Sequence, residues 1–197
     1  KSNTILKNNN IKCCFVQGNN AWFGTDDGVL IHYSKIQKKY KKTTIAKTAI
    51  NAIIKSKNEN LLLITTSDGE LITFNPLTSK TESSLKVSDS PLHRIYQDKK
   101  GLLWVEPDKH GVFMVKPKER KITFFSQQTD ASFLNLKNSF EIFEDNFDRV
   151  WVKLKGGGFG YYNEKTNHLD YFFNNPEDEN QKFSNIVTTL YFDPVGI

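Results

Sequence analysis

Cysteine, methionine, proline and glycine are all scarce in this chain. Its 197 residues hold two Cys, one Met, six Pro and eleven Gly. The cysteines, Cys13 and Cys14, are adjacent. Neighbours on a strand point to opposite faces, which disfavours an ordinary disulfide between them, and two ligands do not complete a zinc site. One is expected to be buried filler, and the pair does not fix a redox compartment. Proline and glycine are too few for a collagen-like or disordered chain. No stretch approaches the roughly 18–20 consecutive apolar residues that a membrane span needs. The chain opens on Lys1 with no apolar signal region behind it, as expected of a processed or cut piece of a longer parent.

Neither charge sign dominates. There are 27 Lys and Arg against 22 Asp and Glu, a net charge of +5. A basic excess suits an anionic partner such as nucleic acid or an acidic polysaccharide. The lysines are spread along the whole chain, however, and the densest run is 35–42. A nucleic-acid footprint is normally clustered on one face, so a solvated lysine surface is the favoured reading and no nucleic-acid contact is expected.

Aromatic residues are plentiful: 15 Phe, 7 Tyr and 3 Trp. That richness favours packed β structure. The length suits one domain with a core of its own.

An internal repeat is the main signal. Trp22, Leu63, Trp104 and Trp151 recur at spacings of 41, 41 and 47. Six residues after the anchor stand Gly28, Gly69 and Gly157, with Gly111 seven after. Eleven after it stand Tyr33, Phe74, Val115 and Tyr162. Three before it stand Asn19, Asn60, Gly101 and Asp148, all turn-forming types. In the second unit, Ile-rich 49–55, Leu61 to Thr66, Leu71 to Phe74 and Lys80 to Val87 read as four short strands. Asn58-Glu59-Asn60, Ser67-Asp68-Gly69 and Asn75-Pro76 punctuate them. Four antiparallel strands in ~40–45 residues are the signature of a β-propeller blade. Helical repeats of similar period are excluded by a turn every ten residues or so.

The expected fold is therefore all-β: a propeller with about four four-stranded blades at 11–44, 50–87, 92–125 and 140–173. Thr4 to Lys7 reads as the outer strand of a preceding blade, and 186–197 as the start of a following one. The chain is expected to be a fragment of a larger propeller, seven blades being the expected number, and an open fragment of this kind should self-associate or dimerise. The anchors Trp22, Leu63, Trp104 and Trp151 are expected to pack between sheets rather than stack on a ligand.

The unit resembles the two-component regulator propeller repeat. The residues that carry the likeness are Gly101-Leu102-Leu103-Trp104-Val105, then Trp22-Phe23-Gly24-Thr25-Asp26-Asp27-Gly28 ending at Tyr33. Asp145 to Trp151 with Gly156-Gly157-Gly158 and Tyr162 adds a third copy. The second unit departs from the pattern with Leu63 for Trp, and the third with Glu106-Pro107 for Gly-Thr. The resemblance spans essentially the whole chain. It implies the periplasmic sensor of a hybrid two-component histidine kinase of Bacteroides-like bacteria, anchored in the inner membrane through other parts of the parent. The implied input is an oligosaccharide and the implied output is transcriptional control.

Catalytic signals are sparse. His32, His93, His110 and His168 fall at different phases of the repeat, so no common metal site, and no cofactor, is expected. No nucleophile elbow is present. Gly156 to Gly160 has no following Lys-Ser/Thr and reads as a hairpin turn rather than a phosphate loop. Glu144-Asp145 and Asp26-Asp27 read as solvated turn residues. The chain itself is expected to be non-catalytic. The turns after each second strand offer the candidate ligand contacts: Asp26, Asp27, Asp68, Lys109, His110 and Lys155. The alternatives are a propeller scaffold or dimerisation module whose ligand site lies elsewhere, or a propeller-fold carbohydrate lyase.

Overall fold

A computed structural model describes residues 10–126, 140–154 and 158–172, with Thr189, Tyr191 and Asp193 as single positions. Among these residues there are strands and turns but no helix. The all-β expectation is borne out.

The first sheet comprises β1 (Ile11–Gln17), β2 (Asn20–Thr25), β3 (Val29–Ser34) and β4 (Lys39–Thr44). The second comprises β5 (Ile50–Lys55), β6 (Leu62–Thr66), β7 (Glu70–Asn75) and β8 (Lys80–Lys86). The third comprises β9 (Leu92–Gln97), β10 (Leu103–Pro107), β11 (Val112–Lys116) and β12 (Lys121–Phe125). The fourth comprises β13 (Glu141–Glu144), β14 (Val150–Lys153), β15 (Phe159–Asn163) and β16 (His168–Phe172). Each sheet is a meander in chain order, four strands wide. Thr4 to Lys7, Lys155 and Gly157 lie outside the described residues, as does most of 186–197.

The chain divides into two compact units. One is Lys1–Asp108 with Val115–Ile122, the other Lys109–Met114 with Thr123–Ile197. In the first unit the leading strands are neighbours: β1 lies against β5, and β5 against β9. The sheets are stitched there by side chains. Asn51 Nδ2 donates to Leu92 O at 2.7 Å, Thr65 Oγ1 to His93 O at 2.7 Å, and Cys13 Sγ to Ile50 O at 3.4 Å.

The core explains the strand sequences. β6, Leu-Leu-Ile-Thr-Thr, is buried along its whole length, because both faces of a middle strand are covered. Trp22, Leu30, Ile50, Ile53, Leu62, Ile64, Ile72 and Phe74 form one buried cluster. Trp22 thus packs against residues of the next sheet, as its phase in the repeat predicts. The outer strands β4 and β8 are mostly exposed and polar, with lysines that discourage edge pairing.

Asp145 differs from expectation. It is not a solvated turn residue but is 2% exposed. Its Oδ2 accepts from Trp151 Nε1 at 2.8 Å and from Arg149 Nε at 2.6 Å. A turn carboxylate becomes buried when it has enough donors to replace water, and here it has four, including the Phe147 and Arg149 backbone N–H groups.

Candidate functional site

The turns after β2 and β6 are built alike. Thr25 Oγ1 accepts from Val29 N–H at 2.9 Å and contacts Asp27 Oδ1 at 2.5 Å. Thr66 Oγ1 accepts from Glu70 N–H at 3.0 Å and contacts Asp68 Oδ1 at 2.5 Å. The Thr-x-Asp-Gly sequence therefore closes on itself, and the Gly carbonyl takes up the following linker. Gly28 O accepts from Ile45 and Ala46 N–H, and Gly69 O from Val87 and Ser88 N–H.

These bonds set the charge state of the two carboxyls. The Thr25 hydroxyl holds Asp27 below the ordinary carboxylate value. Partial burial acts to raise Asp68, but hydrogen bonding from Thr66 and Thr48 outweighs it and leaves the carboxyl lowered. Both aspartates stay ionised near neutrality and are engaged in their own turns. Asp26 is exposed and accepts from Asn10 Nδ2 at 2.8 Å. Lys109 is exposed and His110 half-buried in the turn between β10 and β11, the corresponding place in the third sheet. Asp26, Asp27, Asp68, Lys109 and His110 thus all stand in the turn between second and third strands, four to six residues after the anchor. Lys155 lies outside the described residues.

None of the described candidates, Asp26, Asp27, Asp68, Lys109 and His110, lines the cleft of the first unit. That cleft has a volume of about 300 Å³ and opens between the second and third sheets. Leu63, Leu102 and Leu103 give it apolar surface. Ser56, Thr73, Asn58 and Gln97 add hydroxyls and amides. Lys100, Lys116 and Lys118 stand around it with Glu59 and Glu119. The contributing turns join β5 to β6, β9 to β10 and β11 to β12. In antiparallel meanders those turns lie at the opposite end of the strands from the turns after β2 and β6.

The walls are held by bonds between the sheets. Lys57 N–H donates to Gln97 Oε1 at 2.6 Å, and Lys57 Nζ sits 4.6 Å from the Tyr96 ring centroid. Gly101 has φ +87, and a Cβ there would come within 3.0 Å of Asn58 Nδ2. The exposed Asn58 amide can shift by a few tenths of an ångström, so the left-handed backbone is the reason for glycine at this turn. Sequence reasoning overlooked this cleft because its residues come from three turns of two repeats. The departure at Leu63 was visible in the sequence, but its consequence was not.

Among the described residues, no three His, Cys, Asp or Glu side chains are grouped to hold a metal ion. His32 stacks on Trp22 at 5.0 Å between centroids, with Nε2 2.8 Å from Asn20 Oδ1. Burial, with a smaller contribution from Lys41, lowers its pKa, so it is a neutral packing residue at pH 7. Cys13 is half-buried and Cys14 exposed, on opposite faces as the strand period requires. Burial pushes the Cys13 thiol up to about 11.

No family model matches the sequence, and no curated protein is similar to it in sequence. Solved structures are similar in fold. The extracellular domain of the putative one-component system BT4673 from B. thetaiotaomicron is 20% identical, with a TM-score of 0.61 over 93% of this chain and 25% of its own. The Cps50 (Swd1) β-propeller domain of Myceliophteria thermophila is 12% identical, with a TM-score of 0.63 over 82% of this chain and 56% of its own. A catalytically inactive virginiamycin B lyase from Staphylococcus aureus, crystallised with quinupristin, is 16% identical, with a TM-score of 0.63 over 82% and 55%. The chain therefore spans between a quarter and just over half of each of these structures, and its fold is that of a β-propeller, as its repeat predicts.

Proposed function

We propose that this chain is part of the extracytoplasmic sensor region of a hybrid two-component histidine kinase and response regulator. In this reading the propeller binds an oligosaccharide in the periplasm. Binding favours one arrangement of a sensor dimer over another, and only such differential affinity can bias a kinase across the membrane. The propeller region is non-catalytic and touches neither nucleic acid nor the bilayer, which the parent crosses elsewhere. The observation that carries the reading is the likeness to the extracellular domain from B. thetaiotaomicron, which takes in 93% of this chain. The repeat motif around Trp22, Trp104 and Trp151 supports it independently.

Calorimetric titration of the chain with a panel of neutral and acidic oligosaccharides tests it. At least one member should bind saturably. Failure of every member to bind, at millimolar concentration, overturns the reading and leaves a scaffold role.

A further inference from the structure

We infer that the cleft between the second and third sheets seats the carboxylate-bearing end unit of an oligosaccharide, and that it is open because the second sheet carries Leu63 where the other three carry tryptophan. The choice of a sugar rests on the sensor reading, whereas the seat rests on the packing alone.

The packing runs as follows. In each sheet the anchor has cross-strand partners on both sides, and these side chains share a face. In the first sheet the row is Phe15, Trp22 and His32, with ring centroids 5.8 and 5.0 Å apart. In the fourth it is Phe143, Trp151 and Tyr161, at 6.5 and 5.2 Å. In the third, Tyr96 stands opposite Trp104. In the second the row is Ile54, Leu63 and Thr73, with no ring in it. Six residues before the anchor, the third and fourth sheets place an aspartate on the indole N–H, whereas the second has Lys57. Ring and clamp are lost together. Of the three residues that stand where other sheets carry rings, Leu63 and Thr73 line the cleft.

The lining chemistry selects the ligand. Half-buried Leu102, above the buried Leu63 and Leu103, offers an apolar patch for the C–H face of a sugar ring. Three lysines against two glutamates favour a ligand with an anionic group. A bare anion would be repelled by Glu59 and Glu119, whereas a polyol gives those carboxylates hydroxyl donors. A molecule with several hydroxyls and one carboxylate uses both signs, as a uronic acid does. The 300 Å³ volume lies at the small end of ligand clefts, which limits the occupant to an end unit rather than a long chain.

The test is titration of the whole chain with digalacturonate and with neutral digalactose, followed by calorimetry and amide chemical shifts. Digalacturonate should shift the Thr73, Gly101 and Lys118 amides and bind at least tenfold tighter than digalactose. Leu63→Trp, which restores the residue of the other repeats, should weaken it tenfold or more. Should that variant fail to fold, the surface variant Lys116→Gln/Lys118→Gln should weaken it at least fivefold and flatten its salt dependence. Unchanged affinity in the folded variants, or shifts confined to other residues, overturns the cleft. If other oligosaccharides bind and digalacturonate does not, the cleft proposal falls and the sensor reading stands. If no oligosaccharide binds, both fall.

Discussion

Trp104 donates its indole N–H to Asp98 Oδ2 at 3.0 Å, with the ring 0% and the aspartate 2% exposed. The other carboxylate oxygen of Asp98 accepts the Leu102 backbone N–H at 2.8 Å. One side chain thus closes the turn between β9 and β10 and fixes the ring that follows it. Trp151 and Asp145 repeat the device in the fourth sheet. Asp98→Ala strands a buried indole donor and a backbone N–H, and should cost about 2–3 kcal/mol. A double-mutant cycle with Trp104→Phe in urea should return a coupling of about 1–2 kcal/mol. Simple additivity of the two variants would show that the bond contributes nothing beyond packing.

Asp145 makes stability depend on acid. Burial acts to raise its carboxyl, but bonds from Trp151, the Arg149 backbone and guanidinium, and the Phe147 N–H outweigh it, so the folded value lies below the ordinary 3.8. The unfolded chain therefore takes up the proton first. The stabilisation is fully present above the unfolded pKa and is lost as pH falls through the folded one. Asp145→Asn should be less stable than the parent at pH 7, and the gap should begin to narrow below pH ~4 and close only below the folded pKa. Denaturation curves at pH 7 and pH 3 check this, and a gap that does not narrow refutes it.

Two glycines with left-handed backbones should respond very differently to alanine. At Gly69, φ +80, a Cβ would come within 1.9 Å of the Ser88 carbonyl oxygen, which belongs to the linker leading into the third sheet. At Gly18, φ +56, a Cβ meets nothing within 4 Å. Gly18→Ala should cost only the left-handed penalty, roughly 1 kcal/mol. Gly69→Ala adds a backbone collision and should cost roughly 2–5 kcal/mol. Chemical unfolding of the two variants separates the effects, and equal losses would mean that the linker yields freely.

The contrast between these glycines shows what the sequence could reveal. A recurring Gly six residues after the anchor marks a turn, and the strand order followed from such punctuation and from the 41-residue period. The reason for glycine was not legible, because the Ser88 carbonyl arrives from 19 residues further on. The same holds for Asp145. In sequence it is one of several acids at a turn, and only folding gathers four donors around it. The cleft was least legible of all. Leu63 was recognised as a departure from tryptophan, but a smaller side chain could equally have been compensated by a larger neighbour. Leu103 and Thr73 do not compensate it.

A set of left-handed residues at one phase of the repeat carries the last prediction. Lys38, Ser79, Arg120 and Asn167 each lie sixteen residues after the anchor, in the turn between third and fourth strands, with φ of 52, 56, 52 and 55. Four non-glycine residues share this conformation because the hairpin geometry demands it, not because their side chains favour it. Only Asn167 is of a type that tolerates it well, and its Oδ1 also accepts the Tyr162 hydroxyl at 2.8 Å. Lys38 is exposed, so changing it disturbs no core. Lys38→Asn should therefore raise stability by about 0.5–1 kcal/mol, through relief of backbone strain alone. Lys38→Gly should gain less, since glycine gives the unfolded chain more freedom to lose. Lys38→Val should lose about 1–2 kcal/mol, because a β-branched side chain resists the left-handed region. The ranking Asn, Gly, Lys, Val in urea midpoints is the signature of strain at this position, and a ranking that follows hydrophobicity instead would refute it.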